Sequence, residues 1–180
     1  MNRIDRGTLV NALTFQLLWF AAVAGAAHGW AWLAWPVLLT MVSLQGRGRN
    51  HWQRDVLMLL TGALFCLITE PVWLVVSLLK YVHWSDHWLA PHWVWALWLG
   101  FAVSFHYSLR WLQGRWWLAS MLGAFGSVVS VSTGIKLGAA VAPQGWLPLA
   151  LVYGVVWALA APLMAVVARR LEDNLGGHYA

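Results

Sequence analysis

The chain has 180 residues, of which 61% are hydrophobic and 9% are charged, with a formal net charge of +5 and a pI near 10. A soluble domain carries roughly 25% charged residues, so this composition excludes a soluble globular protein and indicates an integral membrane protein. The basic residues lie in short loops and not in a patch with stacking aromatics, which argues against a nucleic-acid partner. Cys66 is the single cysteine and excludes an internal disulfide.

Six membrane-spanning helices are predicted, all in one bundle over residues 1–180. Residues 7–46 and 137–168 contain no Lys, Arg, Asp or Glu, and a spanning helix needs about 20 apolar residues. The first run is too long for the roughly 7–15-residue core of a signal peptide, so it is predicted to be a span. The predicted spans are 8–27, 30–45, 55–79, 91–112, 116–137 and 146–168.

The basic residues predict the orientation, because Lys and Arg accumulate in cytoplasmic loops. Six spans place both termini on one side, together with nine of the eleven basic residues. These nine are Arg3, Arg6, Arg47, Arg49, Arg54, Arg110, Arg115, Arg169 and Arg170, whereas the other side receives Lys80 and Lys136. We therefore predict a multi-pass membrane protein with both termini in the cytoplasm.

The fifth predicted span carries a face of small residues, which lets helices approach closely in a membrane. Its members are Gly123, Gly126, Ser127, Ser130 and Gly134, and Gly100 and Ser104 offer a similar face on the fourth span. This pattern predicts a central fifth helix. Close packing alone is enough to explain all of these residues.

Glu70 stands inside the third span and is the only acidic residue between Asp55 and Asp86. By helix rise it lies about 22 Å from the cytoplasmic end of that span, where a charged side chain is costly and by default suggests a functional site. Pro71 follows it and leaves the carbonyl of Leu67 without its helical donor. One interpretation is an intramembrane polar site; the other is a neutral, protonated Glu70 that only packs in the bundle.

Four further polar residues are candidates for the same intramembrane site. Lys136 ends the fifth span and is a candidate partner of Glu70, although a lysine at a helix end also extends readily to the lipid head groups. His106 lies near the cytoplasmic interface, so a proton relay to Glu70 requires Asn11, Gln16 or water between them. Hydrogen bonding between helices explains Asn11 and Gln16 equally well.

The loop before the fourth span is rich in histidine: it contains His83, Asp86, His87 and His92. His83 and His87 have the i, i+4 spacing that places two imidazoles on one helix face. The spacing is otherwise loose and no HExxH motif is present, so we predict no metal at these residues. No pair of facing intramembrane histidines suggests haem, and no cofactor is predicted.

Three stretches resemble a known family. They are "NALTFQLLWFAAVAGAAHGWAWLA", "HWVWALWLGFAVSFHYSLRWL" and "MLGAFGSVVSVSTGIKLGA", with N-x-x-x-F-Q-x-x-W-F, W-x-x-A-L-W and G-x-[KR]-L-G-A patterns. The chain resembles the bacterial inner-membrane family catalogued as domain of unknown function 2878 (DUF2878). The resemblance implies an acid at Glu70, a base at Lys136 and, where this chain has Ser77, a glycine.

The resemblance implies a role only in outline, since the family has no established activity. Its members resemble accessory proteins encoded beside genes for fatty-acid modification, which points to membrane-lipid metabolism or maintenance under stress. The leading hypothesis is thus an accessory membrane protein, with lipids, a lipid-modifying enzyme or a second copy of itself as partners. A small proton-linked carrier acting as an oligomer and a purely structural membrane subunit are the alternatives. Whether the protein is an enzyme is left open by the sequence.

Overall fold

The computed structural model describes residues 6–45, 49–86 and 88–176, and these residues form a helical bundle. Its α-helices are α1 (Arg6–Ala27), α2 (Ala34–Gln45), α3 (Arg49–Leu74), α4 (His92–Ser104), α5 (Trp116–Lys136) and α6 (Trp146–Gly176). Single 3₁₀ turns cover Ala31–Leu33 and Arg110–Leu112. Two short strands, β1 (Lys80–Tyr81) and β2 (Ala140–Val141), pair antiparallel, with Tyr81 opposite Ala140.

Four of the helices are long and apolar enough to cross a membrane. They are α1, residues Trp52–Leu74 of α3, α5, and residues Trp146–Leu175 of α6. Helices α2 and α4 have 12 and 13 residues and are about 18 and 20 Å long at 1.5 Å per residue, shorter than a bilayer core of about 30 Å. The prediction of a helical membrane protein is therefore confirmed at the level of four possible spans.

Neighbouring helices run in opposite directions, as contacts at the two ends of the bundle show. At the end that we call the Asn11 end, Asn11 of α1 hydrogen-bonds Gln45 at the end of α2 and Ser108 just after α4. Arg110 pairs there with Glu172 near the end of α6. At the opposite end, the Glu70 end, β1 and β2 join the segments that follow α3 and α5. Each helix thus leads from one end to the other.

Helix α4 is the centre of the bundle, and the prediction of a central α5 is wrong. α4 packs against α1, α2 and α3, whereas α5 packs almost entirely against α6. Small residues explain both the central position of α4 and the packing of α5 on α6. A Cβ on Gly62 of α3 would lie 2.6 Å from the carbonyl oxygen of Trp98, and Gly123 of α5 likewise lies against the backbone of Trp157 in α6. Gly100 packs against Leu18 and Leu38, not against α5.

The fourth predicted span is shorter than expected as a regular helix. It was predicted to run over 91–112, but α4 ends at Ser104. The backbone N–H groups of Phe105, His106 and Tyr107 bond carbonyls three residues back, and Gln113 donates to the carbonyl of Phe105 at 3.0 Å. Such irregular backbone is tolerated at membrane depth when protein buries it, and Phe105 is fully buried.

Helix α3 was expected to reach residue 79 but ends at Leu74, one turn after Pro71. The N–H of Leu78 bonds the carbonyl of Trp73 at 2.9 Å, and the N–H of Ser77 bonds that of Leu74 at 3.0 Å. This is the Schellman motif, in which the residue at the Ser77 position adopts a left-handed conformation and is usually glycine. Ser77 has φ 54°, so the departure from the glycine that the family resemblance implies places a left-handed conformation on a residue with a side chain and strains the backbone.

Candidate functional site

Glu70 is almost completely buried and accepts three hydrogen bonds from aromatic side chains. The indole N–H of Trp98 in α4 donates to Oε1 at 2.8 Å. The indole N–H of Trp73, one turn further along α3, donates to Oε2 at 2.9 Å, and the hydroxyl of Tyr81 in β1 donates to the same oxygen at 2.7 Å. Both carboxyl oxygens are therefore held by the protein.

The partners expected for Glu70 are not those that the structure shows. Lys136 is exposed at the end of α5, and the described residues contain no ion pair that includes either Lys136 or Glu70. Lys136 thus has the exposure expected of a lysine that extends to the lipid head groups. Glu70 points towards α4 and β1 and is held by side chains of Trp98, Trp73 and Tyr81, not by the candidate partner Lys136.

A cavity of about 490 Å³ opens beside Glu70 between α1, α4, α5 and α6. Its walls are mostly apolar and aromatic. They include Phe15, Trp19, Phe20, Val23, Leu79, Tyr81, Trp93, Val94, Leu97, Trp98, Phe101, Leu122, Val129, Val131, Tyr153 and Trp157. Glu70 is the only acid in this lining, and it lies beside Tyr81 and Trp98, two of its donors.

The aromatic rings around the cavity contact each other in pairs, which makes its walls dense. Trp98 and Trp157 stack with centroids 4.4 Å apart and an interplanar angle of 13°. Tyr81 meets Trp93 edge to face at 5.2 Å. Because each ring is fixed by a neighbour, the cavity is a preformed feature of the packing of α4, β1 and α6.

Helix α5 forms the more open wall of the cavity. Gly126 lines the cavity and is exposed, and a Cβ on it would have no atom of another element within 4 Å, so this glycine lies at the open side of the cavity. Ser127, Ser130 and Thr133 also line it, and Trp19 of α1 donates to the Ser130 hydroxyl at 2.8 Å. Gln16 lies on the same lining and is exposed. The small-residue pattern of α5 therefore contributes to a cavity as well as to the contact with α6.

A second buried acid lies at the Asn11 end. Asp55 of α3 is 2% exposed and accepts a hydrogen bond from the Tyr107 hydroxyl at 2.6 Å. Nδ1 of His106 lies 3.3 Å from the other carboxyl oxygen. A small pocket of about 200 Å³ adjoins this group and is also lined by Arg110 and Glu172.

The five predicted site residues do not form one site. Glu70 and Gln16 line the cavity, and Lys136 is exposed near it. His106 belongs with Asp55 instead. Asn11 joins helices, donating to Gln45 at 2.9 Å and accepting from the Ser108 hydroxyl at 2.5 Å, which is the interhelical role considered for it.

The sequence analysis missed Asp55, Tyr81 and Trp98. Asp55 stood at a predicted span boundary, where an exposed charge is ordinary. Trp73 has the i+3 spacing from Glu70 that places two side chains on one helix face, and this signal was available. Tyr81 and Trp98 are separated from Glu70 by 11 and 28 residues, and no local pattern connects them.

Comparison with known proteins gives the family. The family model described as "Protein of unknown function (DUF2878)" matches residues 8–163, most of the chain. The chain belongs to the DUF2878 family. The resemblance seen in the sequence is thereby confirmed. No curated protein and no solved structure that was compared with the chain matches it.

The histidine-rich loop of this DUF2878 chain is arranged by hydrogen bonds. Asp86 accepts from the backbone N–H groups of Trp88 at 2.7 Å and Leu89 at 3.0 Å, and Nδ1 of His92 accepts from the Trp35 indole at 3.2 Å. His87 lies outside the described residues. Within the part of the chain that the structure describes, no three His, Cys, Asp or Glu residues are close enough to hold a metal ion. That the loop binds no metal stays a prediction.

Proposed function

We propose that this protein binds an apolar molecule of the bilayer in the cavity beside Glu70. One observation carries the proposal: a cavity of about 490 Å³ inside the helical bundle has apolar and aromatic walls and a single acid. Small-molecule sites typically have volumes of about 300–1,000 Å³, mostly apolar walls and a few placed polar groups. An aqueous solute would gain little from such walls, whereas an acyl or similar chain would bury its whole surface.

The packing of the helices supports entry from the side. α5 rests mainly on α6, and contact between α1 and α5 is sparse apart from the hydrogen bond between Trp19 and Ser130. These two helices border the cavity through Phe20 and Gly126. A lipid chain therefore enters between α1 and α5 directly from the membrane, without crossing water.

The role proposed for this binding is accessory to membrane lipid or fatty-acyl metabolism, with lipids as the immediate partners and a lipid-modifying enzyme or a second copy as further candidates. The apolar cavity favours this role. A deletion strain of the source organism should show a changed lipid profile. Wild type should restore that profile and Glu70→Ala should not. An unchanged profile would count against the role in metabolism, not against binding.

The binding itself is tested by filling the cavity. Gly126→Leu places a branched side chain in space that is empty in the native protein, and Gly126→Ala is the matched control because it adds one methyl group without a clash. Mass spectrometry of gently purified protein should find a bound apolar molecule in wild type and Gly126→Ala and lose it in Gly126→Leu. Equal retention by both variants would refute the cavity as the binding site.

The proposed setting is the bacterial inner membrane, crossed six times with both termini in the cytoplasm. The alternating helix directions support it, and so does the charge pattern, because Arg54, Arg110 and Arg169 lie at the Asn11 end and Lys80 and Lys136 at the Glu70 end. Short α2 and α4 then cross with the help of the 3₁₀ turns and irregular segments beside them. Reporter fusions at Ala180 and Ser85 should report opposite sides; the same side for both would refute six crossings.

A proton-linked carrier, acting as an oligomer, is the second candidate function. The observation in its favour is that the buried acid Glu70 lines the cavity, where it can exchange a proton for a ligand. Protein reconstituted in vesicles with an imposed pH gradient should then move protons only when a ligand is supplied, and Glu70→Gln should not. Binding of the ligand without proton transport would exclude the carrier and leave the accessory role as the proposed function.

A further inference from the structure

The carboxyl group of Glu70 has hydrogen bonds but no cation. Its three donors are neutral indole and phenol groups, and two of them, Trp73 and Trp98, can only donate. In the described chain no Lys, Arg or His forms an ion pair with Glu70. The three donors therefore hold the carboxyl group in place, and none of the described residues supplies a positive charge to offset its ionised form. Burying an uncompensated charge is unfavourable, so the ionised form of Glu70 would favour a cationic ligand there.

The surroundings of Glu70 have a second property that attracts cations. Tyr81, Trp93, Trp98, Tyr153 and Trp157 all line the same cavity as the carboxyl group. Aromatic rings attract ammonium groups through cation–π interactions, most strongly when water is excluded, and cages of such rings recognise quaternary ammonium ligands. A buried acid beside several aromatic residues is thus a chemically complete site for an organic cation.

The rest of the cavity indicates what is attached to that cation. Away from Glu70 the walls are apolar, with Phe20, Leu122 and Val129 among them, and Gly126 leaves space along α5. We propose that the cavity binds an amphiphile with an ammonium head group, which lies against Glu70 while its apolar chain runs along α1 and α5. This inference rests on the proposed function and names the chemical class of its ligand.

The test uses three ligands that share a tail and differ in charge: decyltrimethylammonium, decanol and decanoate. Their affinities are measured by calorimetry in maltoside micelles for wild type, Glu70→Gln and Gly126→Leu. We expect decyltrimethylammonium to bind wild type at least about tenfold more tightly than decanol, because cation–π attraction and the Glu70 charge act only on the cation. In Glu70→Gln the preference should fall by at least about threefold, since the cation–π attraction of the rings remains and the Glu70 charge is lost.

The main alternative is an anionic ligand. The buried indole N–H of Trp157 has no hydrogen-bond acceptor among the described residues, and an anion in the cavity could accept a hydrogen bond from it. Tightest binding of decanoate would overturn the proposal, as would equal affinities of the three ligands or a cation preference that is undiminished in Glu70→Gln. Equal affinities that Gly126→Leu abolishes would leave the proposed function intact, whereas no binding of any ligand would refute both. The ligand series on wild type decides the matter even if Glu70→Gln does not fold.

Discussion

Replacing Glu70 by glutamine should destabilise the protein whether or not the acid carries a proton. The indole N–H groups of Trp73 and Trp98 donate to different carboxyl oxygens. A protonated acid keeps a lone pair on both oxygens, but a glutamine amide has one carbonyl oxygen and an NH₂ group that cannot accept. Tyr81 can rotate its hydroxyl to accept from the new NH₂. One indole must therefore lose its acceptor in either amide orientation.

The expected loss follows from the cost of an unsatisfied buried donor, about 1–3 kcal/mol. Thermal unfolding in detergent should show it as a fall in Tm of roughly 2–12 °C, at about 2–4 °C for each kcal/mol in a chain of this size. The double-mutant cycle with Trp98→Phe is the control, and the same cycle with Trp73→Phe covers the other amide orientation. In one of the two cycles the combined loss should be smaller than the sum of the single losses by about 1 kcal/mol or more.

Two results would refute this reasoning. A Tm for Glu70→Gln equal to that of wild type would mean that the two indoles do not both depend on the carboxyl group. Strict additivity in both cycles would mean that the destabilisation arises elsewhere, for example from a change in the cavity, and not from these hydrogen bonds.

Three further changes have expected outcomes in the same unfolding assay. Ser77→Gly should stabilise the protein by about 1 kcal/mol by relieving a left-handed serine at the end of α3; a loss would show that its side chain does more than strain the turn. Gly62→Ala should destabilise by roughly 1–3 kcal/mol, because its Cβ would lie 2.6 Å from the carbonyl oxygen of Trp98. Lys136→Met should change the free energy of unfolding by less than about 0.5 kcal/mol, and in the double variant its effect should add to that of Glu70→Ala. A non-additive result would reveal a coupling between the two side chains that is absent from the structure.

The sequence predicted the long helices well because a membrane span needs a long uncharged run. The fifth span was expected at 116–137 and α5 covers Trp116–Lys136, while α1 begins two residues before its prediction. The end of α4 could not be predicted. Residues 105–112 are apolar enough to continue a helix, and they leave it to place His106 and Tyr107 against Asp55, a contact across more than 50 residues of sequence.

The burial of Glu70 was also predictable, but its partners were not. The cost of a charge in lipid requires that an acid at this depth face the protein, and Glu70 does. Charge alone then suggested Lys136, the base that ends the fifth span. The protein instead uses neutral donors, and indole N–H groups give no charge signal in a sequence with 16 tryptophans. A membrane site built from aromatic donors is for this reason hard to read from composition.

Helices α3 and α4 hold each other in register through contacts at both ends and at the middle. Trp98 of α4 donates to Glu70 of α3, and Tyr107, just after α4, donates to Asp55 at the start of α3. Between them Gly62 lies against the backbone of Trp98. Sliding one helix along the other would break both acid contacts at once and cause a steric clash. This pair therefore holds one wall of the cavity in place, whereas α5, which rests on α6 and only sparsely on α1, borders the gap through which the proposed ligand would enter.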